Sequence, residues 1–180
     1  MRYIALLRGI NVGGKNKVPM VELKRHLDKA GYQNVRTYIN SGNVLFESDL
    51  SAKVLGESIE KILVENFTLD SSLIRVHVLT DKQLKSIVND KPKGFGDQSD
   101  IYHSDVIFLM DIAANDAMKV FSPKDGVDMV WQGDGVIYSQ RVSKLRTKSR
   151  LNRIMGTSEY KSMTIRNWNT TTKLLELVST

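Results

Sequence analysis

The chain has 180 residues, 26 basic and 20 acidic side chains, a formal net charge of +6 and no cysteine. A hydrophobic fraction of 41% with only 3 prolines describes one large folded domain or two small ones and excludes a disordered chain. The lack of cysteine excludes a disulfide framework, a zinc–thiolate site and a thiol nucleophile, and no apolar run approaches the ~20 residues of a membrane helix.

Tyr3–Leu7 is nearly all apolar, as in a strand buried on both faces. Arg8 ends that run before it reaches the ~7–15 residues of a signal-peptide core, so a cytoplasmic protein with no membrane partner is expected. Pro19 suits a first helical position. Met20, Leu23, Leu27 and Ala30 then recur at helical spacing, and Gly31 supplies a stop. Val35–Ile39 alternates as a strand, and Asn40-Ser41-Gly42-Asn43 marks a tight turn into Val44–Phe46. Ser51 is placed to cap a helix with the stripe Val54, Leu55, Ile59, Ile62, Leu63 and Phe67. Leu73–Leu79 is a further alternating strand. The order β-α-β-β-α-β is the ferredoxin-like arrangement.

A short helix through Leu84, Ile87 and Val88 leads to residues 89–104, rich in Gly, Asp, Lys and Ser, which read as a linker or long loop. Val106–Met110 is a buried strand and Ala113–Phe121 a helix. Val127–Trp131 and Val136–Tyr138 flank Gly133-Asp134-Gly135, a second hairpin. A basic segment, Ser143–Met155, and an amphipathic helix, Thr164–Val178, close the chain. The expected fold is α+β with two ferredoxin-like subdomains, mainly antiparallel, the second degenerate. The subdomains span 1–88 and 105–180.

The charge is divided. Residues 1–36 carry eight basic and two acidic side chains, residues 37–140 nine basic and sixteen acidic, and residues 141–173 nine basic with Glu159 alone. Two basic ends around an acidic middle either concentrate anions on one face or neutralise that middle.

In the ferredoxin-like order, the Gly9–Lys17 loop and the Asn40–Asn43 turn lie at the same sheet edge and face one another. Glycines that permit close backbone approach, beside Lys15 and Lys17, suit an anion. Gly9–Lys15 also fits G-x-x-x-x-G-K. Against a nucleotide loop stand Asn16 where a metal-binding hydroxyl belongs, Val18-Pro19 delaying the helix, and hairpins that imply an antiparallel sheet. A looser anion cradle and a structural turn are the remaining readings. Asp97, Asp100, His103 and Asp105 match no calcium-loop spacing, and His26, His77 and His103 form no metal triad, so no metal and no cofactor are expected. Ser41 lacks a G-x-S-x-G context and an identifiable base. The tract Arg141–Arg153 interleaves cations with apolar residues and could track phosphates, with Tyr138, Tyr160 and Trp168 available for stacking. It lacks an RNP-type aromatic strand, and Trp168 at helical spacing reads better as core.

Three stretches then stand together: Arg8-Gly-Ile-Asn-Val-Gly-Gly-Lys-Asn16, Asn40-Ser-Gly-Asn-Val-Leu-Phe46 and Thr164-Ile-Arg-Asn-Trp-Asn-Thr-Thr-Thr-Lys173. They resemble the bacterial domain-of-unknown-function family numbered 1697, through essentially the whole chain. A more apolar residue near Thr171 is the family's habit, a mild departure. The resemblance implies an α+β protein with ferredoxin-like subdomains. It brings no activity, and no catalytic residue carries over.

The leading expectation is a protein that binds an anionic ligand, a phosphorylated metabolite or nucleic acid. The contacts expected are Arg8, Asn11, Gly13, Gly14, Lys15, Lys17, Asn40 and Ser41, with Arg166 and Asn169 at the start of the last helix sharing the loop's cleft. An enzyme acting on a phosphorylated substrate is the second class, with no catalytic constellation identifiable. A non-catalytic interaction module is the third. Nothing in the sequence sets the oligomeric state.

Overall fold

The computed structural model describes residues 1–70, 72 and 74–180. Its α+β chain folds into two compact units, Met1–Leu84 with Leu174–Thr180, and Lys85–Lys173. Each holds one four-stranded antiparallel sheet. No helix among the described residues is long and apolar enough to cross a membrane.

The first unit runs β1 (Arg2–Arg8), α1 (Met20–Lys29), β2 (Gln33–Tyr38), β3 (Asn43–Glu47), α2 (Ala52–Asn66) and β4 (Arg75–Thr80), with sheet order β2-β3-β1-β4. The strand expected at Leu73–Leu79 begins outside the described residues at Leu73 and is β4 from Arg75 onward. β1 is central, and its five residues Tyr3–Leu7 are all buried, which is why its sequence is continuous rather than alternating. Tyr3, Ala5 and Leu7 pack with Leu23 and Leu27 of α1 and Leu55, Ile59 and Leu63 of α2. Burying a Leu or Ile side chain stabilises by about 1.5–3 kcal/mol, so this layer dominates the unit. Pro19 is the N-cap of α1 rather than its first residue, and Gly31, at φ +91°, follows the C-cap Ala30. Ser51 is the N-cap of α2 without a side-chain capping bond, and Val54 stands 46% exposed, off the expected stripe.

The second unit runs β5 (Tyr102–Leu109), α4 (Ala114–Met118), β6 (Asp128–Gln132), β7 (Val136–Val142) and β8 (Met163–Asn167), with order β6-β7-β5-β8. α3 (Asp81–Asn89) and α5 (Trp168–Ser179) each contain a unit boundary. Three expectations are corrected here. β5 starts at Tyr102, inside the stretch whose composition reads as a linker. α4 is one short turn where a helix to Phe121 was expected. The last helix begins only at Trp168, because Met163–Asn167 pairs with β5 as an edge strand: Asp105 opposes Asn167 and Leu109 opposes Met163. The basic stretch forms three short 3-10 turns, Ser143–Lys148, Leu151–Gly156 and Glu159–Ser162. Asp128 anchors it: one carboxylate oxygen accepts the N–H of Arg150 at 2.8 Å and of Lys124 at 3.0 Å.

Candidate functional site

The loop after β1 is ordered by its own backbone and by two asparagines. Gly9, Asn11, Gly13, Gly14 and Asn16 all have positive φ, between +48° and +84°. Val12-Gly13-Gly14-Lys15 closes as a two-residue hairpin, with the Lys15 N–H donating to Val12 O at 3.0 Å. Two consecutive left-handed residues are what such a turn requires, and glycine supplies them without a Cβ penalty. A Cβ at Gly13 or Gly14 would meet nothing within 4 Å, so the tip stands open.

Asn11 is the keystone. Its Nδ2 donates to Val18 O at 3.0 Å and to Asn40 O at 2.8 Å, and its Oδ1 accepts the N–H of Val18 at 2.8 Å. The loop and the Asn40–Asn43 turn therefore meet, as the strand order demands. Gly42 completes the contact: a Cβ there would lie 2.8 Å from Ile10 Cδ1 and 2.9 Å from Leu7 Cβ. Asn16 does the same work at the loop's other end, donating to Gly9 O at 2.7 Å and accepting the N–H of Asp70 at 2.8 Å. Asn11 and Asn16 thus spend their amides on the backbone. Ile39, in the facing turn, is left-handed at φ +50° and 49% exposed, a strained conformation for a β-branched side chain.

Lys15 and Lys17 are exposed and Arg8 is half-buried. Arg8 stands directly opposite Arg75 in the β1–β4 register, so two guanidinium groups leave the sheet at the end where the loop emerges. Like charges directly opposite one another on a sheet repel. Glu60 Oε1 lies 4.0 Å from Arg75 Nε and also accepts the N–H of Val76. Ser41 is exposed and its hydroxyl accepts from Asn43 Nδ2 at 3.1 Å. The loop is not the phosphate loop that leads from a parallel strand straight into a helix: α1 begins at Met20, after the hairpin and Pro19, and the sheet is antiparallel.

Arg166 and Asn169 belong to the second unit, the loop to the first. Arg166 is on β8, not at a helix start, and only 7% exposed. Its NH1 donates to Thr164 Oγ1 at 3.1 Å and Ile165 O at 2.8 Å, and burial lowers its pKa to about 10. Asn169 lies in the first turn of α5, which Asn167 caps by accepting the N–H of Thr170 at 2.8 Å. Trp168 is half-buried against Phe95, ring centres 5.2 Å apart. No group of three or more His, Asp or Glu among the described residues is placed to hold a metal ion. Asp97, in the loop before β5, pairs with Lys91 at 2.6 Å, and on β5 Asp105 pairs with His103 at 3.1 Å.

Residues 1–138 match the model of a family described as "Protein of unknown function (DUF1697)". The fold is similar to that of the conserved bacterial protein SP0830 from Streptococcus pneumoniae, with a TM-score of 0.81 and 27% sequence identity over 98% of each chain. No curated protein matches the sequence.

Proposed function

The chain belongs to the DUF1697 family, whose description names no activity, and from the geometry of the loop we propose that the first unit binds a phosphate-bearing anion. The observation that carries this reading is the Asn11 amide, which locks the loop to the Asn40 carbonyl. Lys15 and Lys17 are thereby presented on fixed backbone instead of a mobile turn, with Arg8 and Arg75 at the same end of the sheet. Preorganised cations and exposed glycine N–H groups lower the ordering cost of capturing an oxyanion. The ligand is a phosphorylated metabolite or a nucleic acid; the phosphate is common to both. The shared strand order of the two sheets also supports reading the units as a duplicated ferredoxin-like module.

The test is a thermal-shift series with inorganic pyrophosphate and short oligonucleotides. Stabilisation by either, weakened about tenfold in apparent affinity when Lys15→Ala removes one charge-assisted contact, supports the reading. A log–log salt slope of several units with oligonucleotides assigns the ligand to nucleic acid. No stabilisation by any phosphate compound at low salt refutes it.

A further inference from the structure

The basic stretch of the second unit has no part in the loop reading, and its three turns are held on fixed backbone. The Ser143 N–H donates to Ile101 O at 2.8 Å, the Arg150 N–H to Asp128 at 2.8 Å, and Ser162 O accepts the N–H of Met110 at 2.8 Å. Residues three apart in a 3-10 turn lie over one another, so Leu151 and Ile154 share a face, and both are buried. Arg150, the N-cap, and Arg153 bear the same relation, and both are exposed. Residues 143–162 carry Lys144, Arg146, Lys148, Arg150, Arg153 and Lys161 against Glu159 alone. All six cationic residues are exposed. Among the described residues none of these six side chains has an ion pair or a hydrogen bond. Glu159 accepts the Ser158 hydroxyl at 3.0 Å instead of pairing with a cation.

The charge is more than one phosphate group neutralises, and it is distributed along three successive turns; a chain of phosphates matches it. A protein or lipid surface would also draw on exposed apolar anchors. Here Ile154 is spent in the core with Met163, Leu151 is buried, and Met155, 54% exposed, is the large apolar side chain left outside. Bases find no stacking platform either. Tyr138 is buried with its hydroxyl donating to Ile87 O at 2.7 Å, Tyr160 packs against the cluster of Ile154 and Met163, and Trp168 is edge-on to Phe95. Phosphate contacts of this kind position a strand without reading its sequence.

We propose that the turns between β7 and β8 bind the phosphate backbone of a nucleic acid, without base readout, through these six cations. The site lies in the other unit from the loop, and either can fail alone. The test is fluorescence anisotropy with two short labelled DNA duplexes of unrelated sequence, titrated at several salt concentrations. Affinities for the two should agree within about twofold, and the log–log salt slope with all six contacts formed is about −5. A Lys144→Ala, Arg146→Ala, Lys148→Ala triple variant should keep the parent's urea midpoint and lose about three units of slope. Lys161→Ala, on another turn, should lose about one. The Lys15→Ala, Lys17→Ala double variant should keep the parent's slope, which separates this site from the loop. Four outcomes overturn the proposal: no binding to either duplex at low salt, a preference above about tenfold for one sequence, a slope unchanged in the triple variant, or binding to phosphatidylserine vesicles in place of the duplexes.

Discussion

Replacing Gly42 by alanine tests the contact on which the loop's architecture depends. Two costs arise. At φ +85° an alanine sits in the left-handed region, at about 1 kcal/mol. Its Cβ would also lie 2.9 Å from Leu7 Cβ and 2.8 Å from Ile10 Cδ1, both residues buried. Leu7 is fixed in the central strand and its Cβ cannot swing aside, so relief requires moving backbone, an overpacking cost of about 1–3 kcal/mol. The total is about 2–4 kcal/mol. Gly13→Ala is the control, because its φ is +57° but nothing lies within 4 Å of the added Cβ. It should cost only the backbone strain, about 1 kcal/mol. Urea unfolding of both variants beside the parent separates strain from packing. Equal destabilisation of Gly42→Ala and Gly13→Ala would refute the close approach of turn and loop.

Other consequences are equally open to measurement. Asn11→Ala removes one acceptor and two donated bonds, and should cost about 2–3 kcal/mol while the Val18 amide, which donates to Asn11, loses hydrogen-exchange protection. Phe95→Ala empties a fully buried position edge-on to Trp131, Tyr138 and Trp168; about 3–5 kcal/mol and a loss of near-ultraviolet circular dichroism are expected. Asp128 has opposed influences: burial raises its pKa, but the N–H of Arg150, the Ser149 hydroxyl, the N–H of Lys124 and the charge of Arg141 outweigh burial and lower it. A lowered folded pKa means that its stabilisation is present above the unfolded value of about 3.9 and is lost as pH falls through the lower, folded one. Asp128→Ala should therefore destabilise at neutral pH, and the difference from the parent should shrink below that window in urea unfolding run at both pH values.

Much of this fold is legible in local sequence. β1, α1 and the two hairpins follow from apolar periodicity and from glycines that must be left-handed, Gly42 at φ +85° and Gly135 at φ +67°. β8 was hidden because Ile165 and Trp168 stand at helical spacing. Its alternation is nonetheless present, Thr164 and Arg166 buried on one face and Met163 on the other. What makes it a strand is pairing with β5, a long-range partner that no short window contains. The basic segment is shaped the same way, through the bond from Arg150 to Asp128, twenty-two residues back. At the loop, the lysines and glycines suggest an anion cradle, whereas the part Asn11 plays in joining loop and turn has no local signal, since its partner Asn40 lies twenty-nine residues on. The His103–Asp105 pair carried a signal, the two-residue spacing of a strand face. It becomes visible only once β5 is begun at Tyr102 instead of Val106.

Amide NMR asks whether the loop of the first unit captures a phosphate-bearing anion. Pyrophosphate is titrated into isotopically labelled protein while the Gly13, Gly14 and Lys15 amide resonances are followed. Anion capture at the loop should give saturable shifts confined to the loop and the facing Asn40–Asn43 turn, lost together in a Lys15→Ala, Lys17→Ala double variant. Loop resonances that stay fixed while shifts appear elsewhere, or shifts that persist unchanged in the double variant, would contradict it.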